Sequence, residues 1–383
     1  MGAAPLVITD VRASDVRGVP MGQGLVTPWS RSVHHTRDYL AVRIETDAGI
    51  WGLALDGDWD SIPMTAEAVR THVAPHLVGR SVFDLEAHSR LLGNVGAPGR
   101  FYFIEIALWD IIGKALGKPL CELWGGRDDR VVAYASTVHY GKTPAERGED
   151  CRRYLARGYR AVKLRLSEDT IDKDLELVAA CRSAVGDQMD ILVDANQAGR
   201  RPDDPRAWTL QRALDTARGL AELNVGWLEE PLSYAMVDES RRLAAEADLP
   251  ISGGEGKRGL QQFWQVLQGG LYNILQPDPV TSGTPTTLLK VASFADAAGL
   301  PVAFHHGKGG VGMLVALHMQ AAMGARKYLE VMDDPGYWNP DGFQVGFRAP
   351  VFPDADGIVR CPDRPGLGAD WDPDWLEKHQ LAG

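Results

Sequence analysis

From Val131 onward the chain repeats one rhythm: a short apolar strand, a helical stretch, then another strand roughly 25 to 35 residues after the last. The strands read "VVAYAS", "RAVKLRL", "DILVDA", "VGWLEE", "LPISGGE", "NILQPD", "PVAFHH" and "YLEVMD". Eight of them in such a series predict a barrel of the TIM type. The 383 residues are too many for one ordinary compact domain and suit a barrel of about 250 residues with a smaller partner.

That partner is expected ahead of the barrel, as α+β. "APLVITDVRASDVR" and "RDYLAVRIETDAGIWGLAL" alternate as strands do, with a hairpin turn at Asp47, Ala48 and Gly49. Helical spacing follows over 61–77, 82–92 and 102–116, the last stopped by Gly117 and Pro119. "LWGGRDDR" reads as the domain junction, and the Pro-, Gly- and Asp-rich tail from Asn339 as a segment folding back onto the first domain.

The formal net charge of −11 argues against nucleic acid as the main partner, because phosphate binding needs clustered Lys and Arg; a bound cation suits it better. Cys121, Cys151, Cys181 and Cys361 show no C-x-x-C spacing, so neither a disulfide framework nor a zinc knuckle is indicated, and a reducing cytoplasm is expected. "MGAAPLVITD" lacks the regions of a signal peptide, Leu6 stands where a myristoylation motif wants Ser or Thr, and no apolar run approaches the roughly 18 residues that span a bilayer. A soluble protein without a membrane partner, and a homo-oligomer, is the expectation.

Barrel chemistry gathers at the C-terminal ends of the strands. There the sequence sets Lys163 and Arg165 in "AVKLRLS", side by side on one strand face, then Asp194 in "LVDANQ", Glu229 in "WLEEP", Glu255 in "SGGEG", Asp278 in "QPD", His305 in "AFHH" and Glu330 in "YLE". Asp194, Glu229 and Glu255, on consecutive units, would repel one another across one mouth without a counter-charge. A divalent cation relieves this, and three hard oxygens favour Mg²⁺ over Zn²⁺, with Mn²⁺ as a substitute. Glu230, next along the strand, is expected to point the other way, and so is His306.

The order Lys-x-cation, Asp, Glu, Glu, then Asp and His resembles the enolase superfamily, and within it the mandelate racemase-like subgroup. "ALWDIIGKALGKPLCELWGG" and "PDRPGLG" are similar to that family's linker and tail. The resemblance implies an α/β fold: an α+β capping domain (1–125) over a modified (β/α)7β barrel (126–338), with a C-terminal segment (339–383) returning to the cap. It implies one Mg²⁺ per subunit on Asp194, Glu229 and Glu255, and a small-molecule carboxylate substrate that loses the proton beside its carboxylate to give an ene-diolate. His305 matches the catalytic histidine, Asp278 the carboxylate that orients it, and Glu330 the residue that donates a hydrogen bond to the substrate carboxylate. Asn196 is a substrate or supporting contact.

Arg165 departs from the subgroup's two-base members, which carry a second lysine there. Arginine stays protonated below a pKa of about 12 and acts as a clamp. Lys163 could serve as a base if desolvated, but the family more often uses it for charge stabilisation. Racemisation needs an acceptor on each side of the carbon, whereas one His/Asp pair can run an elimination. The expectation is a sugar-acid dehydratase acting on an aldonate or aldarate to give a 2-keto-3-deoxy acid. A racemase, epimerase or lactone cycloisomerase is the nearer rival, and a pseudoenzyme that binds acidic ligands a further one. A nicotinamide-dependent oxidoreductase is a third reading, from G-x-G-x-x-G at Gly307, Gly309 and Gly312 with Glu330 downstream. "VPMGQGLVTPWSRSVHH" reads as a mobile loop that brings Trp29, His34 and His35 over the mouth.

Overall fold

The computed structural model describes residues 6–29, 31–58, 65–95, 99–126, 130–323, 328–338 and 340–382. The first three strands, β1 (Ile8–Val26), β2 (Val33–Thr46) and β3 (Trp51–Asp58), form an antiparallel sheet in that order. The turn between β2 and β3 falls at 47–49, where Gly49 at φ +72° donates its N–H to Thr46 O at 3.0 Å. The stretch expected as a mobile loop is instead mostly ladder: Pro20 pairs with Thr36, Leu25 with His34 and Val26 with Val33. Its glycines serve a bulge, since Gly22 and Gly24 hold φ +84° and +91° where the register shifts between Pro20 and Leu25. The arm is tied to the barrel by Gln23 N–H donating to Gly336 O (3.0 Å) and Tyr140 N–H to Val26 O (2.8 Å).

Helical turns run from Ala66 to Leu77 through a π-turn at Val69–Val73, then Leu85–Asn94 and Ile104–Leu116. The start of the first, and residues 127–129 of the expected junction, lie outside the described residues. Ile104–Leu116 stops at Gly117, left-handed at φ +63°, and its flank lies so close to β3 that a Cβ on Gly52 would meet Ala107 O at 2.1 Å.

The second sheet is parallel: β4 (Arg130–Ser136), β5 (Ala161–Arg165), β6 (Asp190–Asp194), β7 (Val225–Glu229), β8 (Ile251–Gly253), β9 (Ile274–Leu275) and β10 (Leu329–Met332), in the order β10-β4-β5-β6-β7-β8-β9. "PVAFHH" adds itself beside β9 by the bridge Leu275↔Val302 and by His305 N–H on Pro277 O (3.2 Å). Helices link the strands, as at Pro144–Ala156, whose Thr143 and Glu146 form a capping box. The fold is a modified TIM barrel under an N-terminal α+β cap. In the tail, β11 (Ile358–Arg360) runs antiparallel to β4, while Ala382 O and Leu381 O accept from Arg12 and Arg43 of the cap. No helix among the described residues is long and apolar enough to cross a membrane.

Candidate active site

Alternation along the barrel strands builds the site in layers. Tyr134, Ala161, Leu192, Trp227, Ile274 and Ala303 fill the barrel as an apolar plug, with Tyr328 packed against it. Tyr134 and Trp227 meet edge to face at 5.8 Å. Two residues further along each strand stand Ser136, Lys163, Asp194, Glu229, Gln276, His305 and Glu330. Every second side chain returns to the same face, so this polar layer lies on the plug, on the side of the mouth. Lys163 and Arg165 therefore occupy successive levels of one anionic well.

Lys163 is fully buried, its Nζ 3.0 Å from both oxygens of Glu229, 3.1 Å from Glu330 Oε1 and 3.9 Å from Asp194 Oδ2. Burial alone would lower its pKa, but Glu229 and Glu330 hold it well above the ordinary lysine value. An ammonium held this way accepts no proton near neutral pH. Arg165 pairs with Asp194 and donates to Thr137 O (2.8 Å) and Ser136 Oγ (3.1 Å). Asn196, left-handed at φ +48°, donates its N–H to Asp194 Oδ1 (2.7 Å) and its Nδ2 to Oδ2 (3.0 Å).

His305 Nδ1 stands 2.9 Å from Asp278 Oδ2 and its Nε2 3.0 Å from Glu255 Oε2. Asp278 is itself fixed, its Oδ1 accepting from Val280 N–H (2.7 Å) and Thr281 N–H (2.9 Å). Burial opposes protonation of His305, but Glu255 first and then Asp278 push its pKa up to about 10. His306 is buried on the other side, on Glu330 O.

A cavity of about 720 Å³ opens above this layer, lined by Trp29, Arg165, Asn196, Arg200, Glu230, Glu255, His305 and Lys308 among others. Two expectations change here. Glu230 does not turn away: at φ +46° the strand pleat has ended, alternation no longer applies, and its carboxyl joins the cavity wall beside Tyr234, whose hydroxyl donates to it. His34 is not among the cavity's lining residues, because it sits in the β1–β2 ladder opposite Leu25. Glu330, cast by the resemblance as a hydrogen-bond donor, is held by Lys163 and His305 well below the usual carboxylate range despite its burial, with its Oε1 3.1 Å from Lys163 Nζ. Arg200 and Lys308 drew no notice in the sequence, lying in loops beyond the strand ends.

Each carboxylate expected to hold the cation thus has a cationic partner: Asp194 has Arg165, Glu229 has Lys163, Glu255 has His305. Their oxygens do not gather within 4.8 Å of one another as a ligand set, so taking up a metal ion means exchanging protein cations for it. The donor chemistry fits that exchange. Around the site Asp194, Glu229, Glu230, Glu255, Asp278 and Glu330 outnumber Lys163, Arg165 and His305, and such an excess is costly where most of these groups are buried. Glu230 registers it: burial, then Glu255 and Asp194, push its carboxyl far above the usual range. Hard oxygens in excess suit a hard divalent ion such as Mg²⁺.

The glycine-rich run leads from the seventh strand position of the barrel into the buried helix Gly310–Ala322, with Gly309 at φ +124° as its cap. Glu330 downstream is fully buried beside Lys163, where no ribose can reach it.

A capped barrel with a carboxylate-rich mouth and a His/Asp pair defines an enolase-like architecture, and the sequence comparisons agree. Residues 146–375 match the family described as enolase C-terminal domain-like, and residues 4–125 the mandelate racemase / muconate lactonizing enzyme N-terminal domain. The chain belongs to that family. It is 29% identical over 274 residues to the arabinonate dehydratase of Saccharolobus solfataricus (69% of this chain, 68% of that one). It is 32% identical over 266 residues to the 3,6-anhydro-alpha-L-galactonate cycloisomerase of Streptomyces coelicolor (69% and 67%). The crystal structure of D-glucarate dehydratase from Agrobacterium tumefaciens complexed with magnesium superposes with a TM-score of 0.82 at 25% identity, covering 98% of this chain and 99% of that one.

Proposed function

We propose that this chain is a Mg²⁺-dependent sugar-acid dehydratase that converts an aldonate or aldarate to a 2-keto-3-deoxy acid. The observation that carries this reading is an asymmetry: His305, oriented by Asp278, opens into the cavity, while Lys163 is sealed below by Glu229 and Glu330 and Arg165 is clamped on Asp194. One side of a bound carbon then meets a proton-transfer pair and no second base stands ready, which suits elimination over racemisation. The dehydratase relatives support the same choice.

In this reading Asp194, Glu229 and Glu255 hold Mg²⁺, which would set positive charge beside the substrate carboxylate and so ease loss of the neighbouring proton. With Glu255 on the ion, Nε2 of His305, now 3.0 Å from Glu255 Oε2, is free to face the substrate. It then takes the C2 proton, and Asp278 keeps Nδ1–H in place and supports the imidazolium. The same imidazolium returns a proton to the C3 hydroxyl as that group departs, so water leaves and the enol tautomerises to the 2-keto acid. Lys163 and Arg165 supply fixed positive charge to the well throughout. Trp29, on the arm from the cap, closes one wall over the substrate.

Incubating the chain and Mg²⁺ with a panel of sugar acids should give a product that reacts with semicarbazide; no 2-keto acid from any of them defeats the proposal. The cycloisomerase relative motivates a second reading, isomerisation through the same proton loss. Proton NMR in D₂O separates the two, since deuterium entering C2 with every hydroxyl retained marks the isomerase.

A further inference from the structure

Far from the barrel mouth, three soft donors meet at a seam. Cys121 lies in the short helix Leu120–Leu123 that ends the cap, His318 in the barrel helix Gly310–Ala322, and Cys361 just after β11 in the tail. One ligand atom from each lies within 4.8 Å of the other two, and the residues are only 6%, 0% and 8% exposed. We propose that Cys121, His318 and Cys361 form a second metal site, for a thiophilic divalent ion of the zinc type, which ties cap, barrel and tail together.

The cluster is held from outside: the Cys361 thiol donates to Leu317 O at 3.7 Å, and His318 is anchored through both ring nitrogens. The Nε2–H of His318 donates to Leu367 O at 3.1 Å, which leaves Nδ1 as the acceptor; that nitrogen now takes the backbone N–H of Cys121 at 3.2 Å, a bond that an ion at this site has to displace. A metal-bound imidazole characteristically has its other ring nitrogen anchored on a carbonyl in this way. Trp124 packs nearly perpendicular to the imidazole, with ring centroids 6.4 Å apart. Two thiolates neutralise a divalent ion, so the loaded site leaves no net charge in the interior. Tetrahedral bonds of about 2.3 Å to sulfur and about 2.0 Å to nitrogen put donors about 3.5 to 3.8 Å apart, so the present spacing must close by at most about 1.3 Å, within the reach of side-chain rotation. Three protein donors leave the fourth position to water.

The test is a Co²⁺ titration of the full chain, stripped with chelator, reduced, and held in excess Mg²⁺ to occupy oxygen sites. The expected result is a near-ultraviolet thiolate-to-cobalt charge-transfer band that saturates at one equivalent and is bleached by Zn²⁺. Cys121→Ser and Cys361→Ser should abolish it, His318→Gln should weaken Co²⁺ binding at least tenfold, and Cys151→Ser, a buried thiol outside the cluster, should leave it intact. Should the serine variants fail to fold, the unmodified chain still decides: no charge-transfer band on folded protein overturns the proposal. So does a band that survives Cys361→Ser, or a Cys121–Cys361 disulfide with no metal uptake after re-reduction.

Discussion

Lys163 Nζ stands 3.0 Å from each carboxylate oxygen of Glu229, and both side chains are buried. A buried pair of this kind is costly to break from one side, because the partner keeps its charge without water or counter-ion. Lys163→Met should therefore destabilise the metal-free chain by about 3–5 kcal/mol in urea unfolding. Adding Glu229→Gln should recover part of that loss. An unchanged midpoint in the single variant would mean that Glu229 is solvated or protonated.

Asp278 touches the proposed acid–base group through Nδ1 alone, at 2.9 Å. Asp278→Asn keeps the shape and removes the charge that supports the imidazolium, so turnover should fall by about 10²–10⁴-fold while circular dichroism is unchanged. Activity within a few-fold of the parent would remove His305 from its role.

Glu230 crowds Glu255 and Asp194 without being one of the three expected ligands. Partners of this kind tune a metal site, and Glu230→Gln should raise the Mg²⁺ concentration for half-activation about 10–100-fold. A larger loss would place Glu230 itself on the ion; no change would place it outside the field of the site.

Glu105, buried between the cap and the barrel, accepts from Thr286 N–H at 2.8 Å, and burial pushes its pKa up from 4.5 to about 7. Below pH 4.5 the carboxyl is protonated folded and unfolded alike and carries no penalty. As pH rises, unfolding releases its proton, so stability falls until the folded group has also ionised above about 7. The chain should lose up to about 3 kcal/mol from this group between pH 5 and 8, and Glu105→Gln should flatten the drop in urea midpoints. An equal drop in the variant would assign it to other groups.

Much of the architecture could be read from the sequence, because alternation and strand spacing are local properties. The eight strand segments and the Asp47–Gly49 turn stand where the pattern put them, though the seventh strand is reduced to a single bridge at Val302. The rest fails where local rules stop. Glu230 was misplaced because one left-handed residue cancels alternation, and the 19–35 arm because glycines that serve a bulge look like those of a loose loop. The burial of Lys163 and the pairing of Glu255 with His305 depend on how the strands close around one another, which no spacing records. Cys121 and Cys361 looked scattered because only the returning tail brings them together.

The central claim is that this well, loaded with a divalent ion, removes a proton beside a carboxylate through His305 and expels water. Proton NMR in D₂O on a sugar acid the chain turns over, with chelator and then with added Mg²⁺, tests it most directly. No reaction is expected in chelator and, on adding Mg²⁺, a 2-keto-3-deoxy acid that Asp278→Asn nearly abolishes. Product formed equally in chelator, or deuterium entering C2 with every hydroxyl retained, would contradict it.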